Sequence, residues 1–146
     1  MATVTTLGLV EETDHWVLPL EESHVEQCRV DYAFSLIVGS SSSGSFEVRI
    51  EQPFTLKGLG DERGFDPEGD PGQMASAMHL LRKRVHGAIA FKDGTLELSF
   101  DDGLVLHVPC GERVEAWSVV GPAGLRIVSL PGGDLAVWKP GREDAV

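Results

Sequence analysis

Five histidines, His15, His24, His79, His86 and His107, and two cysteines, Cys28 and Cys110, are the side chains of this chain that ligate metals or move protons near neutral pH. A zinc site takes three or four such ligands and announces itself in sequence as a closely spaced pair. His79 and His86 stand seven residues apart, and His107 with Cys110 has no partner motif, so no ligand pair is formed. No serine or cysteine carries the local signature of an activated nucleophile. Asp101 and Asp102 are adjacent carboxylates, the residue type of acid–base chemistry, but a hairpin turn accounts for them. Asp66-Pro67-Glu68-Gly69-Asp70 has the oxygen donors of a calcium loop, with its glycine misplaced and no Glu closing the loop at the twelfth position. The sequence therefore assigns no catalytic residue, no metal ligand and no cofactor.

Two groups of residues remain as candidates for binding. Glu115 and Trp117 lie two apart in Val114-Glu115-Ala116-Trp117-Ser118-Val119, so on a strand they share a face and set a carboxylate beside an indole, a side chain enriched at binding hot spots. Asp61, Glu62, Asp66 and Glu68 belong to segment 58–72, which has five acids against Arg63 alone. The charge of the whole is uneven: residues 1–72 hold 14 acids and 4 bases, residues 73–146 hold 9 acids and 8 bases, and the net is −11. Such a field repels phosphate backbones, which argues against nucleic acid, and steers a basic partner.

A meander of strands has to position these groups. Asp93-Gly94 and Asp102-Gly103 each separate stretches of alternating apolar and polar residues, the strongest short-range hairpin signal. The strands around them run over Val85 to Lys92, Thr95 to Phe100 and Leu104 to Pro109. Their expected inward set is Ile89, Phe91, Leu96, Leu98, Phe100, Leu104, Leu106 and Val108. Upstream, residues 1–13 are expected to fray. His15 to Leu20 forms a strand with Trp16, Leu18 and Leu20 on one face and Pro19 marking an edge. Val25 to Gly39 reads as one long strand or two short ones, on Val30, Tyr32, Phe34, Leu36 and Val38, and Phe46, Val48 and Ile50 resume the pattern after a Ser-rich connection. Downstream, Glu115 to Val120, Leu125 to Leu130 and Leu135 to Trp138 complete the meander, and 139–146 is expected to be disordered.

Segment 58–72, rich in acids, Gly and Pro, reads as an exposed mobile loop that ends in a helix start. Asp70 caps, Pro71 takes the first helical position and Gln73 completes a capping box. Met74, Ala77, Met78 and Leu81 then fall on one stripe of an α-helix, with Arg82, Lys83 and Arg84 at the negative end of its dipole.

The run Asp93-Gly94-x-Leu96-x-Leu98-x-Phe100-x-Asp102-Gly103, with Glu115-Ala116-Trp117 and Pro131-Gly132-Gly133-x-Leu135-Ala136-Val137-Trp138, resembles an uncharacterised family of small actinobacterial proteins, a domain of unknown function. Trp16 through Leu20 and Phe34 through Phe54 fit the same pattern, so the resemblance spans most of residues 15–138. It rests on turns and aromatics and implies no catalytic residue. Val114 stands where the resemblance would place an aromatic.

The expected fold is α+β: a mostly antiparallel, curved or two-layer sheet of about seven to nine strands with one covering α-helix, as a single domain over residues 15–138. No apolar run approaches the ~18 to 20 residues that span a bilayer, and residues 1–14 lack the basic and apolar stretches of a secretory leader. A cytoplasmic protein without a membrane partner is expected. In a reducing compartment Cys28 and Cys110 serve as small apolar fillers, with a bridge between them left open. The leading functional expectation is a non-enzymatic interaction protein, an immunity-type or regulatory binder that turns its acidic half to a basic protein. The alternative is a small-ligand binding protein or enzyme with a cleft between the sheet and segment 58–72, walled by Glu115 and Trp117. A third is a homodimer joined through an edge strand such as Trp16 to Leu20.

Overall fold

Apolar side chains recur at every second position through most of the chain, a period that only extended backbone turns into one buried face. The computed structural model describes residues 4–6, 8–41, 44–58 and 60–141. Fourteen strands occur among them. The first eight are β1 (Val4–Thr6), β2 (Leu9–Glu11), β3 (His15–Val17), β4 (His24–Val30), β5 (Phe34–Ser40), β6 (Gly44–Ile50), β7 (Phe54–Gly58) and β8 (Asp61–Phe65). The remaining six are β9 (Val85–Phe91), β10 (Leu96–Phe100), β11 (Val105–Val108), β12 (Trp117–Val120), β13 (Arg126–Ser129) and β14 (Leu135–Trp138). They form an antiparallel sheet in the order β1-β2-β3-β9-β10-β11-β7-β8 and a second in the order β14-β13-β12-β6-β5-β4.

The two sheets bury their apolar faces against each other. Trp16, Phe54, Ala88, Ala90, Leu98 and Leu106 of the larger sheet meet Phe34, Leu36, Val48, Ile50, Trp117 and Ile127 of the smaller in one cluster, the construction of a β-sandwich. Phe34 of one sheet stacks on Phe54 of the other at 5.4 Å between centroids, and Phe54 on Phe65 at 5.2 Å. Along one side the sheets are also hydrogen-bonded to each other. After β3 the chain keeps pairing with the segment before β9: Glu22 N–H donates to Val85 O, Val85 N–H to Ser23 O, Val25 N–H to Lys83 O and Arg82 N–H to Val25 O. His24 pairs with Arg84, so one ribbon bends from the larger sheet into β4 of the smaller.

This architecture overturns the expected α+β class, because among the described residues no α-helix covers the sheets. Residues Pro71–Leu80 form a 3-10 helix instead. Asp70 caps it as expected, its Oδ1 accepting Gly72 N–H at 3.0 Å. Its buried residues are Met74, Ala77 and Leu80, a period of three, whereas Leu81 of the expected stripe is 40% exposed. Over ten residues the apolar positions satisfy both periods. The tighter coil wins by delivering Leu80 to the core, and Arg82, at φ 74° and bonded to Val25, ends it.

Six further expectations change. Residues Asp61–Phe65 of the supposed mobile loop are the edge strand β8. Where fraying was expected, β1 and β2 pair and Leu9 is fully buried. β3 lies between β2 and β9, so it is no edge for a homodimer. In β9 the inward residues are Ala88 and Ala90 while Ile89 and Phe91 stay half-exposed. The pairing skips His86 there, Ser99 facing Gly87 and Phe100 facing Val85, and this bulge reverses the parity that Val85 sets. Tyr32, expected within a strand, is 86% exposed in the turn between β4 and β5. Of the expected tail, Pro140 is buried and Gly141 N–H donates to Ala123 O, while 142–146 lie outside the described residues. Among the described residues no helix is long and apolar enough to cross a membrane.

Candidate functional site

β8 reads Asp61-Glu62-Arg63-Gly64-Phe65, and its register on β7 decides where each side chain goes. Asp61 faces Gly58, Arg63 faces Leu56 and Phe65 faces Phe54. Residues directly opposite on antiparallel strands project to the same side. Leu56, Phe54 and Phe65 are buried, so Asp61 and Arg63 share the inner side of the sheet, while Glu62 lies opposite Lys57 on the outer side.

Over this margin the 3-10 helix and the turn joining β10 to β11 close in and leave a cleft of about 440 Å³. That volume suits a small molecule. Leu56, Phe65 and Leu104 make its apolar floor, and Asp61, Arg63, Ser76, His79, Lys83 and Asp102 make its rim. A side chain at Gly58 would come within 3.3 Å of Leu104 Cδ1, so the glycine keeps the floor open. Arg63 donates from one terminal nitrogen to Ser76 Oγ at 2.6 Å. Lys83 Nζ donates to Asp102 Oδ2 at 2.5 Å, and Asp102 Oδ1 accepts Leu104 N–H at 3.1 Å. The Lys83 ammonium first and the Leu104 amide second hold the Asp102 carboxyl below the usual aspartate value.

Two charges are thus matched to each other and two are not. Among the described residues neither Asp61 nor Arg63 forms an ion pair. The Ser76 hydroxyl oxygen accepts from a guanidinium, which has no lone pair with which to take the hydroxyl proton as a base would. The arrangement sets these charges over an apolar floor.

At the other end of β10 the sandwich is sealed. Gly94, in the turn from β9, is buried, and its carbonyl accepts both Trp117 Nε1 at 2.8 Å and Ser129 Oγ at 2.9 Å from the smaller sheet. Beside it Lys92 and Lys139 each place an ammonium 5.9 Å from the Trp16 ring centre, and Lys92 also binds Glu11 at 2.7 Å.

The residues singled out from sequence are scattered. Trp117 is 1% exposed and belongs to this sealed end, whereas Glu115 precedes β12 and is exposed, so the expected shared face does not form. Segment 58–72 joins the larger sheet as β8, so the cleft lies over that strand and not between segment and sheet; Asp61 lines it, and Glu115 and Trp117 take no part in it. Glu62 is exposed on the outer side of β8. Asp66 and Glu68 are exposed in the following turn, where Asp66 Oδ1 accepts Glu68 N–H. Of the histidines, only His79 lines the cleft; His15 meets Asp14, His86 meets Asp101 and His107 meets Glu97. Cys28 and Cys110 are free thiols, and among the described residues no three His, Cys, Asp or Glu side chains converge to hold a metal. Sequence reasoning missed Arg63, Ser76 and Lys83. The alternation Asp61-x-Arg63-x-Phe65 was the available signal, masked by the surrounding acids, Gly and Pro.

Over residues 16–139 the chain matches a family described as a family of unknown function, DUF6188. No curated protein and no solved structure matches it.

Proposed function

The chain belongs to DUF6188, a family of unknown function, and from that premise we propose that it binds a small carboxylate-bearing molecule with an apolar body in the cleft between β8, the 3-10 helix and the β10–β11 turn. One observation carries the reading: Arg63, in a chain with nearly two acids for every base, keeps a guanidinium without a carboxylate partner among the described residues, above Leu56 and Phe65. Ser76 occupies one terminal nitrogen and fixes the group, leaving its other donors for a planar anion. Because the net charge of −11 repels anions at long range, the attraction is local. The floor then adds favour in proportion to the apolar area the ligand buries.

Thermal unfolding with ~10 mM of 4-methylpentanoate, 3-phenylpropanoate and their α-amino derivatives tests this, since a ligand of the folded state raises the midpoint by mass action. At least one raises it in the native chain, and Arg63→Gln abolishes the rise. If none does, the reading is wrong.

The exposure of Glu62, Asp66, Glu68 and Asp70 along β8 and the turn after it favours a second reading, docking of a basic protein on this margin. Its signature is binding of a Lys/Arg-rich peptide that weakens steeply with salt. Residence in the cytoplasm belongs to both proposals and is supported by the two free thiols.

A further inference from the structure

Asp61 and Arg63 project from the same side of β8 with one residue between them, which separates their backbones by about 6.6 Å at the usual rise of a strand. Opposite charges so spaced are within reach of each other, as Arg49 and Glu51 show at 2.9 Å. Here they do not pair: the guanidinium is drawn to Ser76 on the facing 3-10 helix, and the Asp61 carboxylate forms no ion pair among the described residues. The remaining ammonium and carboxylate of the rim, Lys83 and Asp102, satisfy each other. The cleft therefore presents one unmatched anion and one unmatched cation side by side over Leu56, Phe65 and Leu104.

We infer that the ligand is a free α-amino acid with an apolar side chain. Its carboxylate meets Arg63, its ammonium meets Asp61, and its side chain lies on the apolar floor. Ammonium and carboxylate on one carbon fit between two strand-mounted charges with a charge-assisted contact of about 2.8 Å to each. A simple carboxylate would leave Asp61 unanswered, and a simple amine would leave Arg63 so. This inference rests on the proposed binding of a carboxylate at Arg63 and names its second half.

Isothermal titration with L-leucine and with 4-methylpentanoate, the same molecule without its amino group, separates the two. L-leucine binds the native chain about tenfold more tightly, the scale of one charge-assisted contact at a partly solvated site. Asp61→Asn, which keeps the shape of the side chain, abolishes the preference for L-leucine, while 4-methylpentanoate binds no more weakly than before because a like charge beside its carboxylate is gone, and that retained binding shows that the variant is folded. Arg63→Gln loses both. Equal affinity of the two ligands for the native chain, or a preference for L-leucine that survives Asp61→Asn, overturns the inference while leaving a carboxylate site in place. Binding of neither ligand overturns the reading beneath it.

Discussion

β10 runs between two turns of the same composition, Asp93-Gly94 and Asp102-Gly103, and their surroundings are opposite. Locally they match. Each Asp Oδ1 accepts the N–H two residues on, from Thr95 at 3.0 Å and Leu104 at 3.1 Å, and each glycine has a positive φ, 100° and 89°. Beyond the turn they part. Gly94 is buried against the smaller sheet, where an added Cβ would meet Cys110 Cβ and the Gly133 Cα and O at 2.7 Å. Gly103 is exposed, with nothing within 4 Å of such an atom. The hairpin motif decides the reversal of the chain and nothing more. Whether that end of the sandwich is sealed or open depends on what the second sheet sets against it: Trp117 and Ser129 at one end, and at the other only the rim of a cleft.

The sharpest way to break this contrast is to add one methyl group to each glycine. Gly94→Ala combines an unfavourable left-handed backbone, at ~1–2 kcal/mol, with overlap against rigid backbone, at ~1–3 kcal/mol, so a loss of about 3 kcal/mol is expected in urea unfolding. Equal losses for Gly94→Ala and Gly103→Ala would dissolve the distinction. Next in size, Trp117→Phe removes the indole donor from the Gly94 carbonyl and costs about 2 kcal/mol by the same measurement, with ligand binding at the open end untouched. Gly103→Ala meets only the backbone penalty, about 1 kcal/mol. Smallest is Asp102→Asn. The Lys83–Asp102 pair is 28% and 49% exposed, so solvent screening limits its worth to about 0.5 kcal/mol. Since the folded carboxyl titrates below its ordinary value of 3.8, that increment is complete above pH 3.8 and is lost as the pH falls through the lowered value. The difference between native and variant stability should therefore be present at pH 6 and vanish in strong acid.

The same contrast separates what was legible in the sequence from what was not. Alternation in Phe34, Leu36 and Val38, in Leu96, Leu98 and Phe100, and in Leu106 and Val108 is local, and each of these residues is buried. The two Asp-Gly turns are local as well. The parity of β9 was lost at a bulge, because the skipping of His86 is set by pairing with β10 and leaves no mark of its own. The 3-10 helix was misread because Met74, Ala77 and Leu80 compete with Met74, Ala77, Met78 and Leu81 over a stretch too short to separate their periods. At the candidate site Asp61 was noticed for its charge alone. Its pairing with Arg63 as neighbours on one face needed β8 to be recognised as a strand, and the Ser76 contact needed the tertiary structure.

The ribbon of residues 15–25 against 82–91 belongs to the larger sheet at one end and the smaller at the other. Neither layer can therefore be peeled away intact, because loosening one strips the other of bonds at Val25 and Val85. A single cooperative melt is therefore expected, with the amides of Val25 and Val85 exchanging with solvent only on global opening, which hydrogen exchange followed by NMR would check.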